Sequence, residues 1–380
     1  MKLVARFAGI ICLQCLLCQM PQAAGPAQAA LMMPLADRSL LLDLASAGNH
    51  LVAVGERGHI LISDAAGQDW TQVPSPTAKM LTGVHFVDAM RGWAVGHDGL
   101  ILATEDGGKS WALQYSGLQQ QGVINQTRLA AMQHRKTLLE REIAMQEDAQ
   151  RRAQQVAELG EVLLAIEDAE YALAQPPHAS PLLAVYFSNP LVGHAVGAFG
   201  EYLRTLDGGV TWQRNNSLVD NPAQMHLNAI TGDGDRTLWI AGEGGLLFRS
   251  MDAGESWQAL ASPYHGSFFD IAYQPSTGAL IVAGLRGNIF ISHDKGGSWN
   301  AATVDSDRSL AGVTWLNDRY AAAVGAVGNL QFSDDGGSTF SDHSLPERTG
   351  LSSVIHHRGR LVVAGQGGIY SFRDLGAFSD

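Results

Sequence analysis

Residues 92–111 read GWAVGHDGLILATEDGGKSW, and this stretch carries both motifs that decide the fold. A short apolar strand ends at Val95-Gly96, and Gly99 opens a second apolar strand after a two-residue gap. The second strand runs into a Thr-x-Asp-x-Gly-x-x-Trp turn from Thr104 to Trp111, a pattern known as an Asp-box. Glycine and aspartate at these positions favour tight turns. The stretch therefore predicts three successive antiparallel strands.

The Asp-box recurs along the chain. Its members are Thr104, Asp106, Gly108 and Trp111; Thr205, Asp207, Gly209 and Trp212; Ser250, Asp252, Gly254 and Trp257; Ser292, Asp294, Gly296 and Trp299; and Ser333, Asp335, Gly337 and Phe340. An earlier unit keeps Ser63, Gly67 and Trp70 but has Ala65 where the aspartate is expected. We expect these residues to be structural, because the aspartate can accept hydrogen bonds from turn amides while the aromatic ring packs between sheets.

A second motif keeps the same register. Seven glycines end a short apolar strand, and each is followed three residues later by another glycine: Gly55, Gly96, Gly197, Gly242, Gly284, Gly325 and Gly365. The first two box tryptophans, Trp70 and Trp111, are 41 residues apart. Repeats of this length with several short strands are typical of propeller blades. The sequence predicts an all-β, seven-bladed β-propeller over residues 30–380. We expect Ala30–Ala36 to close the ring as the outer strand of the last blade.

Residues 118–175 interrupt the repeat with a composition rich in Ala, Leu, Glu, Gln and Arg, all good helix formers. Apolar residues at helical spacing fall into two sets: Leu129, Met132, Leu139 and Ile143, then Val156, Leu159, Leu163, Ile166 and Leu173. The two ends of a single helix of this length would lie too far apart, because the next blade must begin beside the preceding one. The segment therefore predicts an α-helical hairpin of roughly 40 Å between blades two and three, with its tip within 146–155.

The hairpin has two open interpretations: a solvated insertion or a docking arm for another protein. Two helices alone leave apolar residues such as Met132 and Leu164 without a full cover. We therefore take Gln150 and Arg152, near the tip, as candidate partner-binding residues.

The N-terminal 29 residues are typical of a signal peptide. Lys2 and Arg6 precede an apolar run, and Ala27-Gln28-Ala29 is a cleavage candidate. An uncleaved anchor is the alternative. All three cysteines lie within this segment, so the exported chain would contain no thiol or disulfide. We expect a periplasmic or otherwise exported protein. The net charge of −12 argues against a nucleic-acid partner, which requires clustered lysine and arginine.

Beyond residue 29, no sequence pattern for catalysis, metal binding or phosphate binding occurs. We therefore expect no cofactor and no metal. The residues between the paired glycines vary in charge from blade to blade, which is compatible with either ordinary solvated turns or a binding surface. The candidate partner-binding residues there are Arg57, His97, Asp98, Glu243 and Arg286.

The combination of Val95–Gly99 with Asp106–Trp111, repeated over residues 38–117 and 180–373, resembles the photosystem II stability/assembly factor-like propellers. The resemblance implies a non-enzymatic scaffold that holds subunits of a membrane-protein complex, or another envelope protein, during assembly. The long helical insertion departs from that family's pattern. Arginines on the predicted turn surface are few, with Arg57 and Arg286 among them.

A glycoside hydrolase is the alternative function, since sialidases also carry Asp-boxes on propellers. Sialidase chemistry needs an arginine cluster, and the predicted inner strands contain few arginines. Hydrolysis by two carboxylates remains open, because any two suitably separated acids could provide it.

Overall fold

The computed structural model describes residues 28–373. Nearly all of the predicted signal peptide, residues 1–27, lies outside the described residues. The described chain contains seven sheets, antiparallel in every strand pair but one, and two long helices. We number the sheets one to seven in chain order.

The strands of sheets one to four, in chain order, are β1 (Leu41–Ala47), β2 (His50–Gly55), β3 (Ile60–Ser63) and β4 (Trp70–Val73); β5 (Leu81–Phe86), β6 (Gly92–Gly96), β7 (Leu100–Thr104) and β8 (Ala112–Tyr115); β9 (Leu182–Phe187), β10 (Gly193–Gly197), β11 (Tyr202–Thr205) and β12 (Gln213–Arg214); and β13 (Leu227–Gly232), β14 (Leu238–Gly242), β15 (Leu247–Ser250) and β16 (Gln258–Ala259).

The strands of sheets five to seven are β17 (Phe268–Tyr273), β18 (Leu280–Gly284), β19 (Ile289–Ser292) and β20 (Asn300–Ala301); β21 (Thr303–Val304), β22 (Leu310–Trp315), β23 (Ala321–Gly325), β24 (Leu330–Ser333) and β25 (Thr339–Asp342); and β26 (Leu351–His357), β27 (Arg360–Gly365) and β28 (Gly368–Arg373). In sheet six, β21 comes from the preceding connection and pairs in parallel with β25 at the outer edge.

The sheets stand in a closed ring. The innermost strands contact one another in sequence, and β26 of sheet seven returns to contact β1 of sheet one. The second strand of each sheet is packed on both faces; β6, for example, is buried along its whole length. A short, continuous apolar run is what such a doubly covered strand requires. The expectation of a mostly β, propeller-like fold is therefore confirmed.

Aromatic side chains fill the spaces between neighbouring sheets. The rings of Trp93 in sheet two and Phe187 in sheet three stack with centroids 3.4 Å apart. The box tryptophan Trp212 meets Phe187 edge-on at 5.8 Å. The layer between sheets two and three thus combines Phe187 of the innermost strand β9 with the Asp-box ring of Trp212, and burial of such large apolar surfaces is a main source of stability.

The prediction for residues 30–36 is wrong. Sheet seven has three strands within the described chain, and residues 30–33 run beside sheet one instead. The side-chain amide of Gln72 accepts a hydrogen bond from the Met33 amide at 2.7 Å and donates one to the Leu31 carbonyl at 2.9 Å. A glutamine on the outer strand of sheet one therefore satisfies the backbone groups that were expected to pair with sheet seven.

The helices are α1 (Gly117–Met145) and α2 (Ala149–Ala174), and together we call them the arm. They pack against each other and are linked by residues 146–148. Arg135 of α1 donates to the Glu158 carboxylate of α2 at 2.6 Å, and Leu139 is fully buried between them. Among residues 28–373, no helix has both the length and the apolar character needed to cross a membrane.

Candidate functional site: the turn face and the arm

The turns between the second and third strands all lie at one end of the ring, which we call the turn face. In sheet one, the His59 amide donates to the Glu56 carbonyl at 3.0 Å, and Arg57 and Gly58 have φ values of 54° and 72°. Positive φ at both central residues defines a type I′ hairpin turn. The second glycine of the repeated motif is therefore required by the turn.

The residue before that glycine is also left-handed in six sheets. These residues are Arg57, Asp98, Phe199, Gly244, Arg286 and Val327. Left-handed backbone is unfavourable for side chains with a Cβ, and especially for a β-branched one. Only one of the six is glycine, although all occupy the same place in the turn. Large side chains such as Phe199, 60% exposed, are thus presented to solvent at the ends of the turns.

The predicted charged residues of the turn face differ in their contacts. Asp98 is paired with Lys79 at 2.8 Å, and the Glu243 carboxylate accepts from the His226 amide at 3.1 Å. Arg57 and Arg286 are exposed and form no ion pair within residues 28–373. These two guanidinium groups are therefore available to an anionic or carbonyl-rich partner.

A cavity of about 580 Å³ opens beside Phe199 on this face. Its walls include Phe199, Asn216, Leu218, Asn221 and Gln224. The Phe199 ring also meets His226 edge-on at 5.1 Å. An exposed aromatic ring beside amide side chains provides both apolar contact and hydrogen bonding.

The arm starts on the turn face. Ser116 caps α1 by accepting a hydrogen bond from the Gln119 amide at 3.4 Å, and Gly117 packs on Gly99 of the sheet-two turn. His97 and Asp98 therefore lie at the base of the arm. Gln150 and Arg152 are exposed at its far end, so the structure does not bring them together with the turn-face candidates.

The Asp-boxes lie at the opposite end of the ring. In the sheet-two box, the Asp106 carboxylate accepts from the Thr104 hydroxyl at 2.8 Å and from the Ser110 amide at 2.9 Å, while the Gly108 amide donates to Thr104 at 3.0 Å. Equivalent bonds to the aspartate occur in the other four boxes. Burial opposes ionisation of Asp106, but these hydrogen bonds outweigh it and lower its pKa to about 2.

Sheet one solves the missing aspartate differently. Asp64, one position before Ala65, accepts from the amides of Gln68 and Asp69 at 2.8 and 3.3 Å. The hydrogen bond with the Gln68 amide is the main cause of its lowered pKa. The carboxylate of Asp64, one position earlier in the sequence, thus accepts the turn hydrogen bonds that the box aspartate accepts in the other sheets.

Two further carboxyl groups line the central channel, and neither belongs to a motif that the sequence reveals. Asp43 on β1 accepts from the Val84 amide of the next sheet at 2.8 Å, and Asp270 on β17 accepts from the Val313 amide of the next sheet at 2.8 Å. Burial raises the pKa of Asp43 to about 6 and that of Asp270 to about 7. The sequence signal for both residues is an aspartate within an otherwise largely apolar strand.

The channel itself has a cavity of about 330 Å³ with these two acids and His85 in its walls. The carboxyl oxygens bond to backbone amides on their own strand as well as on the neighbouring one, since Leu44 and Ile271 donate to Asp43 and Asp270 at 2.9 and 2.8 Å. The acids therefore join adjacent inner strands. Within the described residues, no group of three or more potential ligands is placed to hold a metal ion.

The closed ring of seven sheets, the Asp-boxes at one end and the glycine-containing hairpin turns at the other together define a propeller-like protein of the Asp-box type. A model of the family described as Photosynthesis system II assembly factor YCF48 matches residues 52–135 and 165–306, more than half of the chain. The chain belongs to that family.

Two curated relatives match shorter stretches. The chloroplastic photosystem II stability/assembly factor HCF136 of Cyanidioschyzon merolae (strain NIES-3377 / 10D) is 38% identical over 80 residues, which are 20% of this chain and 18% of the relative. The photosystem II assembly lipoprotein Ycf48 of Synechococcus sp. (strain CC9902) is 37% identical over 83 residues, 22% of this chain and 24% of the relative. Each match spans less than a quarter of the relative's length.

A solved structure described as YCF48 bound to D1 peptide aligns with 93% of this chain and 98% of its own, at a TM-score of 0.58 and 16% identity. At this identity the similarity concerns the fold.

Proposed function

We propose that this chain is a non-enzymatic, exported scaffold that binds a subunit of a membrane-protein complex through its turn face, with the arm as a second contact. In this proposal the seven sheets act as the seven blades of one propeller, and the arm is an insertion between blades two and three. The observation that carries the proposal is a set of exposed side chains at one end of the ring, each on a turn residue with left-handed backbone. Arg57, Phe199 and Arg286 belong to this set.

The chemistry of the turn face supports a peptide-like partner. Phe199 offers an apolar contact beside a cavity, and Arg57 and Arg286 offer donors that have no ion-pair partner in the described chain. Aromatic and arginine side chains dominate the binding energy of many protein interfaces. The relatives are named as assembly factors, and one fold relative was solved with a bound peptide. Export of this chain would match the relative named as a lipoprotein.

Glycoside hydrolysis is less well supported. Asp43 and Asp270 are the acids that a two-carboxylate mechanism would use, because they line the channel cavity. Both acids, however, accept hydrogen bonds from backbone amides of two adjacent strands. This bonding favours a role in joining the inner strands over proton transfer to a sugar.

Site-specific photocrosslinking in cells tests the proposal. A photoreactive residue at position 199 or 286 should trap the same membrane protein, whereas one at Lys109, exposed on the Asp-box side, should not. The pair Phe199→Ala and Arg286→Glu should abolish the crosslink obtained from position 57, while Lys109→Glu leaves it intact. Equal trapping from both ends of the ring, or none from the turn face, would refute the proposal.

The arm's contribution can be separated from that of the turns. A Cβ added to Gly117 would lie 2.6 Å from the Cβ of Ala179, so the two ends of the arm adjoin. Residues 118–178 can therefore be replaced by a short Gly-Ser linker without stretching the ring. We expect the crosslink from position 286 to persist in this variant with reduced yield. An unchanged yield would remove the arm from the proposed interface.

A further inference from the structure

The helix α2 is apolar on two opposite sides. One side packs on α1, with Val162 and Ala169 buried there. The other side faces solvent and forms a stripe that is apolar except for Glu167, which we call the outer stripe. Its members are Ala149, Ala153, Val156, Ala157, Gly160, Leu163, Leu164, Glu167 and Tyr171. Helical spacing predicts one shared face for Val156, Leu163 and Ile166. In the structure Val156 and Leu163 belong to the outer stripe, whereas Ile166 lies half-buried towards the side that α1 covers.

The exposed area of the outer stripe is large. Leu164 is 65% exposed and Tyr171 is 68% exposed. A solvated helix normally carries polar residues on the side away from its neighbour, and contiguous exposed apolar side chains mark an interaction surface. The residue at the middle of the outer stripe is Gly160, which has no side chain, and nothing lies within 4 Å of a Cβ added to it. A second helix could approach closely at this point.

The charges beside the outer stripe are divided between its ends. Arg152 borders its N-terminal end, while Asp168 and Glu170 border its C-terminal end, where Glu167 lies within the stripe itself. None of these four charged residues forms an ion pair within residues 28–373, although the side facing α1 contains the Arg135–Glu158 pair at 2.6 Å. The outer stripe therefore carries a basic end and an acidic end, both without partners in the described chain.

We propose that the outer stripe binds the outer stripe of a second copy of this chain, in an antiparallel pair centred on Gly160. Antiparallel pairing brings the basic end of each helix to the acidic end of the other. At 1.5 Å per residue, Arg152 and Glu170 lie roughly 12 and 15 Å from Gly160 on opposite sides of it. The two-fold axis therefore places Arg152 beside Glu170 of the second copy, twice per dimer.

The same register matches the apolar residues. Val156 falls opposite Leu164 of the second copy, and Ala157 falls opposite Leu163. The two Gly160 positions meet on the axis, where the missing side chains permit close contact between the helices. A surface that is complementary to itself in this way is what a two-fold interface requires. The pairing uses no residue of the turn face, so it goes beyond the proposed scaffold function.

Cysteine crosslinking tests the geometry with a matched control. Gly160 and Gly122 are both helical glycines with open space around them, one on α2 and one on α1. The three native cysteines, all before residue 19, are replaced by serine in the full chain. Under mild oxidation, Gly160→Cys should form a disulfide-linked dimer at least about tenfold faster than Gly122→Cys. Equal rates for the two variants would overturn the proposal.

A charge exchange tests the register. Arg152→Glu and Glu170→Arg should each raise the dimer dissociation constant about tenfold in sedimentation velocity, because each creates two like-charge contacts. The double variant should restore dimerisation, since both pairs are re-formed with reversed sign. Failure of the double variant to recover, with unchanged thermal unfolding, would overturn the register and the self-pairing with it.

Other occupants of the stripe predict different results. If the stripe instead bound a partner helix or a lipid surface, the purified chain would remain monomeric at all concentrations, and Leu164→Asp would reduce the crosslink from position 286 or binding to anionic vesicles. Either result would refute self-pairing. Failure of self-pairing with retained turn-face crosslinks leaves the scaffold function standing, so the two failures are distinguishable.

Discussion

The Ser353 hydroxyl donates a 2.9 Å hydrogen bond to the Asp43 carboxylate, linking sheet seven to sheet one across 310 positions of the chain. Beside it, the Ser352 hydroxyl donates to the Leu41 carbonyl at 2.6 Å. These two bonds join the last inner strand to the first. The ring is thus closed at its innermost strands by side chains as well as by packing.

Ser353→Ala should lower the free energy of unfolding by about 1 kcal/mol at pH 8. The effect should be smaller at pH 5, because Asp43, whose pKa is about 6, is then mostly neutral and needs the donor less. Urea unfolding at the two pH values measures the difference. Ser352→Ala is the control, since its acceptor is a carbonyl with no charge to titrate. Identical pH dependence for both variants would contradict this assignment.

His194 should make the protein sensitive to acid. Burial lowers its pKa from 6.5 to about 3, and its Nδ1 lies 2.9 Å from the Tyr202 hydroxyl. The unfolded chain therefore binds a proton that the folded chain excludes, and the stability contributed by neutral His194 is lost as pH falls from 6.5 towards 3. His194→Gln should flatten the stability profile between pH 6 and 4 by up to about 1.4 kcal/mol per pH unit. The same slope in both proteins would disprove this role.

Asp106→Ala should lower the free energy of unfolding by about 1–2 kcal/mol, because it removes the acceptor for the Thr104 hydroxyl and for Ser110. Glu105→Ala, at the exposed neighbouring position, is the control and should change stability little. Partner crosslinking from the turn face should be unaffected by either substitution. Loss of crosslinking in a folded Asp106→Ala protein would show that the Asp-box contributes to binding.

Val327→Asn should stabilise the fold by about 1 kcal/mol, because asparagine tolerates the left-handed backbone that valine adopts there with φ of 61°. Ala326→Asn, one position earlier and outside the left-handed region, should give no gain. Differential scanning calorimetry compares the two proteins. If Val327→Asn stabilises the fold but weakens turn-face crosslinking, the strained valine is retained for binding.

Local motifs account for what the sequence predicts well. Each Asp-box and each paired-glycine turn is decided by residues within about ten positions, so the strands beside them follow directly. Asp43 and Asp270 were missed because their roles depend on strands that meet only in the closed ring. Residues 30–36 were placed wrongly because the Gln72 side chain, more than 30 positions away, bonds to them.

The same reason applies to the arm. Composition and periodicity predict two helices and a tip, and the tip is found at residues 146–148, at the start of the predicted range. Which side of α2 faces α1 depends on contacts such as Arg135 with Glu158. A pattern of apolar residues alone could not separate the covered side from the outer stripe.

The adjoining positions of Gly117 and Ala179 give the arm the character of a cassette. A segment whose two ends meet can be gained, lost or exchanged during evolution without any change in the ring that carries it. Members of the family could therefore share one ring and differ in the appendage at this junction. For engineering, the junction is a ready place to graft a foreign two-helix element or a fluorescent reporter while the turn face keeps its shape.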